Sequence, residues 1–343
     1  MVRGPGRTGP GGRVSCAVTR AAGRPEPRLT VSAIVPTKNR ADMLAVAVGA
    51  LLGQSAAVDE LIVVDQSHDD RGRRRVGALL GELPAPRRPR LDYVLDPGIT
   101  GAAAARNVGL DRATGDILLC CDDDVVADSD VVERLLAHYR AAPDCAGLAP
   151  VITNYTPPGL LRRLQRRLFC LGPFHDERQP VYWFWRRHAG PTRVPVRMFT
   201  GAMMSFRRSA LGGVRHDPRY RGASIGEDID LCWALWRRGA WLAIATDARI
   251  VHNRAPRPAA RPEEAQIAAW GFLYRKHLRK TLATRLAFAW YVVGVFAGAL
   301  ANAVVERTLD PLRSAAAGLH ALRTDHAGSK FLAPAVTESQ PRA

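Results

Sequence analysis

Three consecutive aspartates, Asp122-Asp123-Asp124, follow the apolar run Ile117-Leu118-Leu119-Cys120-Cys121. Adjacent carboxylates repel one another, so a strand end that gathers three of them is suited to a cation. Hard divalent ions such as Mg2+ and Mn2+ take carboxylate oxygens and keep positions open for phosphate. The run reads either as a metal site holding a diphosphate or as a solvated turn in which Asp122 or Asp124 caps the next helix. Further along, Gly226-Glu227-Asp228-Ile229-Asp230-Leu231 opens a helix. Acids are ordinary in a first helical turn because the macrodipole favours them there. Three in four residues exceed that need, and a carboxylate here could take the proton from an attacking hydroxyl. His252 closes the short apolar run Ala248-Arg249-Ile250-Val251. It is either a structural histidine or a nitrogen ligand to the same ion.

Such groups need elements to position them. From residue 30 onward, short apolar runs alternate with helical stretches. Residues 31–35, 61–64, 91–95 and 116–121 are expected strands, and residues 43–52, 74–83 and 102–112 expected helices. That alternation predicts an α/β fold with a doubly wound, mostly parallel sheet. In such sheets the ligand sits beyond the carboxyl ends of the strands. Strand one ends at Pro36-Thr37, strand two at Asp65-Gln66-Ser67 and strand four at the aspartates. The polar chemistry falls on one edge, which favours the metal site over the capped turn.

At 343 residues, 47% hydrophobic and 24% charged, the chain can bury one large core or two smaller ones. Its net charge of +17 is concentrated in residues 1–30, 156–198 and 254–285. A nucleic-acid binder spreads its positive field over the folded domain. Here the excess lies on a tail and two flanking segments, so an anionic membrane surface is the expected partner and nucleic acid is not. Only four of the 49 basic residues are Lys, a compositional bias that leaves some Arg without a function. The six cysteines show no CxxC pairing, which suits a reduced, cytosolic domain.

Residues 1–28 are Gly-, Arg- and Pro-rich with no apolar h-region, so they read as a disordered tail and not a secretory signal. Residues 326–343 read as a second tail. Leu160, Leu161, Leu164 and Leu168 share one helical face, with four Arg on the other. Such a helix lies in a membrane interface or packs on the core with a solvated basic face. The run Tyr182-Trp183-Phe184-Trp185 could meet lipid headgroups, stack on a sugar or form a core strand. Residues 286–305 carry no charge and are long enough to span a bilayer core at about 1.5 Å per residue. The alternative is a buried or monotopic helix. Basic residues just before this segment place that side, and the catalytic domain, at the cytoplasmic face of the cell membrane.

The ordered set of Pro36-Thr37-Lys38-Asn39-Arg40, Ile62-Val63-Val64-Asp65-Gln66-Ser67, Gly101 to Ala105-Arg106-Asn107, and Gly115-Asp116 leading into Asp122-Asp123-Asp124 resembles the inverting family 2 glycosyltransferases of GT-A fold, of the bacterial membrane-associated type. Thr200-Gly201-Ala202, Gly226-Glu227-Asp228 and His252 follow in the order that family shows. The resemblance covers residues 29–255, with residues 256–325 a helical C-terminal region. It implies that Pro36, Thr37, Arg40, Asp65, Arg106, Asp122 and Asp123 bind the donor nucleotide. Asp122, Asp124 and His252 would hold Mn2+ or Mg2+, Asp228 would be the catalytic base, and Glu227 and Gly201 would lie near the acceptor or the transferred sugar. The implied reaction moves a sugar from a nucleotide-diphosphate donor to a hydroxyl of a lipid-linked or cell-envelope glycan.

Two features depart from the pattern. Gln66 stands where many members carry a second Asp, and no Q-x-x-R-W signature follows His252, so a non-processive enzyme is expected. The alternatives are a nucleotidyltransferase, for which Pro36-Thr37-Lys38-Asn39-Arg40 lacks the glycines, and a non-catalytic basic membrane-binding protein.

Overall fold

The computed structural model describes residues 28–188, 190, 192–220, 225–254 and 262–324. The predicted N-terminal tail, all but Arg28, lies outside these residues, as do the C-terminal tail and the boundary expected at 255/256. The chain begins β1 (Val31–Thr37), α1 (Ala41–Leu52), β2 (Glu60–Asp65), α2 (Arg71–Glu82), β3 (Arg90–Leu95), α3 (Ala102–Arg112) and β4 (Ile117–Cys121). It continues through β5 (Val125–Ala127), α4 (Val131–Ala141), β6 (Cys145–Ile152), α5 (Leu160–Phe169), α6 (Arg178–Phe184), β7 (Arg193–Val196), β8 (Met203–Arg207) and α7 (Arg208–Leu211). Last come α8 (Glu227–Trp236), β9 (Trp241–His252), α9 (Pro262–His277), α10 (Leu282–Glu306) and α11 (Asp310–Thr324).

β1, β2 and β4 are buried along their whole length. They are continuous apolar runs, as parallel strands covered on both faces must be. β3, at the sheet edge, stays partly exposed. The strands lie in the order β3-β2-β1-β4-β8-β6-β9-β5, and β7 joins along β9. β1 to β4 pair in parallel, but β4 pairs antiparallel with β8, and β8 antiparallel with β6. β5 and β7 also run antiparallel to β9. The sheet is therefore mixed where the repeating pattern predicted a mostly parallel one. That repeat stops at β4, and beyond it the chain no longer returns through a helix to each neighbouring strand.

The strand order reverses between β1 and β4, with β2 and β3 on one side and the later strands on the other. A crevice opens at the carboxyl ends of strands flanking such a reversal. β5 follows the aspartates directly and pairs with the end of β9, so Val125 lies opposite His252.

The aromatic run at 182–185 completes α6 and enters a 3-10 turn, Trp185–His188, so it is not a core strand. Val181 and Tyr182 face the core, and Trp183 and Trp185 pack partly against it. Consecutive aromatics distribute around a helix instead of alternating between two faces. The C-terminal helices build a smaller core in which Phe174, Ile267, Tyr291, Val295, Ala299 and Ala315 meet. α10 is long and apolar enough to cross a membrane by length and composition, and one of its sides is buried in this core.

Candidate active site

The end of β1 and the aspartate run face each other across the β1/β4 crevice. Thr37 Oγ1 donates to Asp123 Oδ2 at 2.7 Å, and Arg40 Nη1 donates to Asp123 Oδ1 at 3.1 Å. Both Thr37 and Asp123 are buried. Burial pushes the Asp123 carboxyl up to about 6, against the pull of Thr37 and Arg40. Pro36 sits in register with Val64, and Thr37 with Asp65. Asp65 is buried with both oxygens engaged, by Tyr93 Oη at 2.6 Å and the Ser67 N–H at 2.9 Å. Gln66, the departure noted in the sequence, accepts from the Gly101 N–H at 2.8 Å and so ties β2 to the start of α3.

One ligand atom each from Asp122, Asp124 and His252 lies within 4.8 Å of the others. His252 Nε2 is 3.2 Å from Asp124 Oδ1. Its Nδ1 is buried and makes no hydrogen bond among the described residues. The backbone of His252 is fixed by Asn154, which accepts from its N–H and donates to its carbonyl, both at 3.1 Å. Two carboxylates and a nitrogen on a rigid ladder fit a hard or borderline divalent ion. Burial, then the charge of Asp124, raises the Asp122 carboxyl above its usual range against the opposing pull of Arg106.

Arg106 comes from α3 and is almost wholly buried. Its Nη2 donates to Asp122 Oδ1 at 2.5 Å and its Nη1 to Glu227 Oε1 at 3.2 Å. Burial opposes its charge, but Asp122 and Glu227 outweigh that and raise its pKa. Gly201 lies against this guanidinium, and a Cβ there would come 3.1 Å from Nη2. Its carbonyl accepts from Arg106 Nη2 at 3.3 Å, and its N–H donates to Asp228 Oδ2 at 2.8 Å. Asp228 Oδ1 accepts from the Ile229 N–H at 2.8 Å. The chain enters α8 through Gly226 at φ 97°, a left-handed conformation that favours glycine. Burial and the neighbouring Asp228 push Glu227 up to about 7.

These groups open onto a cavity of about 490 Å³ lined by Arg106, Asp122, Gly201, Glu227, Asp228 and His252, among others. Pro36, Thr37, Arg40, Asp65, Asp123 and Asp124 do not line it, and Thr37 and Arg40 instead meet at Asp123. Asp230 has a different task. It is buried and accepts from Lys276 Nζ and His277 Nε2, both at 2.7 Å, so α9 is clamped to the helix that carries Glu227 and Asp228.

Residues 32–212, more than half of the chain, match the family described as Glycosyl transferase family 2. The chain belongs to this family. Among curated relatives of this glycosyltransferase, the succinoglycan biosynthesis protein ExoM of Rhizobium meliloti is 30% identical over 196 residues, 57% of each protein. Validoxylamine A glucosyltransferase of Streptomyces hygroscopicus subsp. jinggangensis is 25% identical over 301 residues, covering 78% of this chain and 65% of that protein. The chain spans less than two thirds of the length of these relatives. Among solved structures, mannosyltransferase PcManGT from Pyrobaculum calidifontis, in complex with GDP-Man and Mn2+, aligns with a TM-score of 0.55 at 17% identity. That alignment covers 88% of this chain and 89% of the other. S. aureus TarS 1-349 in complex with UDP-GlcNAc aligns with a TM-score of 0.56 at 13% identity, over 86% and 80%. These likenesses give the glycosyltransferase a GT-A-like fold.

Two charged cavity residues of the glycosyltransferase escaped the sequence reading: Arg178 and Arg254. Arg178 is buried, forked onto Asp176, bonded to the Phe199 carbonyl and 3.7 Å from Asp228 Oδ2. In the sequence it was one Arg of a basic stretch, and the nearby Asp176 was the only available signal. Arg254, two residues past His252, is held over the Tyr155 ring at 4.9 Å from its centroid.

Proposed function

We propose that this family 2 glycosyltransferase moves a sugar from a nucleotide-diphosphate donor to a hydroxyl of a lipid-linked or cell-envelope glycan, with inversion and one sugar at a time. The carrying observation is that Asp122, Asp124 and His252 cluster together and that two of them, Asp122 and His252, line the same cavity as Asp228, so that a diphosphate anchor stands beside a proton acceptor. Pro36, Thr37, Arg40, Asp65 and Asp123 take the nucleotide end, and Arg106 holds Asp122 in place under the diphosphate. Gly201 and Glu227 face the transferred sugar and the acceptor. A Mn2+ or Mg2+ ion on Asp122, Asp124 and His252 would supply charge to stabilise the departing diphosphate.

Asp228 takes the proton of the acceptor hydroxyl, whose oxygen attacks the anomeric carbon as the bond to the diphosphate oxygen breaks. A single displacement of this kind inverts the anomeric centre and requires no covalent nucleophile on the protein. Arg178 and the Gly201 N–H fix the Asp228 carboxylate for that transfer, and Arg254 brings a further positive charge to the His252 side of the cavity. The proposed domain is residues 29–255, working at the cytoplasmic face of the cell membrane. The relation to a succinoglycan biosynthesis protein supports an envelope glycan as acceptor.

A thermal-shift panel of nucleotide diphosphates and nucleotide sugars, with and without Mn2+, tests this reading. A ligand at 100 times its Kd adds about 2.7 kcal/mol of stability. A metal-dependent shift for one nucleotide names the donor class, and a flat panel removes the reading.

A further inference from the structure

We infer that the outer faces of α5 and α10 form one docking surface for an anionic lipid bilayer, and that α10 lies in the plane of that bilayer instead of crossing it. Among the described residues, thirteen of the sixteen exposed large apolar side chains fall in 160–171 and 282–309. Scattered exposed leucines are ordinary, but a concentration of this kind marks an interaction surface. On α5, Leu160, Leu161, Leu164 and Leu168 are all more than half exposed. On α10, Leu286, Trp290, Val293, Leu300 and Val304 make an uncharged stripe about 27 Å long at 1.5 Å per residue. The two stripes join where Trp290 Nε1 donates to the Leu168 carbonyl at 2.8 Å and the Phe169 and Trp290 rings lie 4.9 Å apart.

Charge identifies the occupant. Arg162, Arg163 and Arg167 are exposed on the other side of α5, and Arg279, Lys280 and Arg285 are exposed where α10 begins. Apolar stripes bordered by arginine fit an interface of acyl chains beneath anionic headgroups. Crossing is opposed by how α10 is tied down. Tyr291, Val295 and Ala299 are buried in the smaller core, and Asn302 Nδ2 donates to Glu263 Oε1 at 3.3 Å on α9. α11 then folds back on α9, where Ser314 Oγ accepts from the Glu264 N–H and Arg275 Nη1 donates to the Leu322 carbonyl, both at 3.1 Å. Both ends of α10 therefore belong to one folded body on one side of the membrane.

The surface also reaches the cavity. Arg166 of α5 bonds Gln179, which donates to Asp176, and Asp176 holds Arg178 beside Asp228. This inference deepens the membrane-side acceptor in the proposed function, while its geometry stands apart from the chemistry.

Sedimentation of the full chain with phosphatidylglycerol-containing vesicles, and with phosphatidylcholine vesicles alone, tests the surface. Binding is expected on the anionic vesicles and to fall about tenfold or more in Leu164→Ser/Leu168→Ser and in Arg163→Gln/Arg167→Gln. Equal binding to both vesicle types, variants that bind like the parent, or a dimer that the serine variant splits would overturn it. Alkaline carbonate is expected to release the protein, and retention would show a crossing helix. Nucleotide thermal shifts are read on the same samples. Vesicle binding without a nucleotide shift upholds the surface and rejects the transferase chemistry, and the reverse rejects only the surface.

Discussion

The Gly201 N–H donates to Asp228 Oδ2 at 2.8 Å, although the two residues belong to different segments flanking the cavity. The same glycine accepts from Arg106 through its carbonyl. One residue, through its two flanking peptide groups, thus links the proposed base to the arginine that pairs with Asp122.

Asp228→Asn keeps an oxygen for the Gly201 N–H but cannot accept a proton. Transfer is expected to fall by about 10²- to 10⁴-fold. Thermal stability and nucleotide-induced shifts should stay close to those of the parent. Turnover within a factor of a few of the parent would exclude Asp228 as the base.

Removing a proposed ligand should separate metal from nucleotide. Asp124→Asn and His252→Ala are expected to abolish the Mn2+-dependent part of the thermal shift with a nucleotide diphosphate. Calorimetric titration of Mn2+ into the nucleotide complex checks this, and unchanged affinity in both variants would place the ion elsewhere.

Arg106→Met would leave Asp122 and Glu227 buried without their shared cation. Breaking a buried ion pair from one side costs about 3–5 kcal/mol. Denaturant unfolding should show a loss of that order, and adding Glu227→Gln should recover part of it. A loss below about 1 kcal/mol would mean the pairings contribute little.

Glu227 carries a pH dependence of definite sign. Its carboxyl titrates near 7 in the folded chain against an ordinary 4.5, so the folded state holds a proton that the unfolded state has released. Raising pH through that window should reduce stability, by something of order 3 kcal/mol once pH passes 7. The Tm of the parent relative to Glu227→Gln should fall from pH 4.5 to 7.5 and then level. A flat difference would contradict the raised value.

Much of the site could be read from the chain because its residues sit at strand ends in a fixed order. Thr37, Asp65 and the aspartates each end a short, continuous apolar run, and the break from apolar to polar residues makes that visible. His252 could be placed near Asp124 only by motif order, because its approach depends on the pairing of Val125 with His252. Nothing local announces an antiparallel strand of three residues. Arg178 was hidden for a related reason: its partners are an adjacent aspartate and the carbonyl of Phe199. Asp230 was grouped with Glu227 and Asp228, although successive residues on a helix point in different directions and Asp230 is the one bonded to Lys276 and His277 of α9. Helix α10 is long and apolar enough to span a membrane by length and composition, and burial along one side is a property of its neighbours.

The clamp of Lys276 and His277 on Asp230 also bears on how this enzyme could be shortened. A chain ended at residue 254 would keep every proposed site residue and shed the greasy helices. It would also deprive the Asp230 carboxylate of Lys276 and His277 and uncover Trp233, whose ring meets Trp270 and His277 edge-on. The terminal helices are thus a splint for the turn that carries Glu227 and Asp228, and whatever removes them acts within one turn of helix of both.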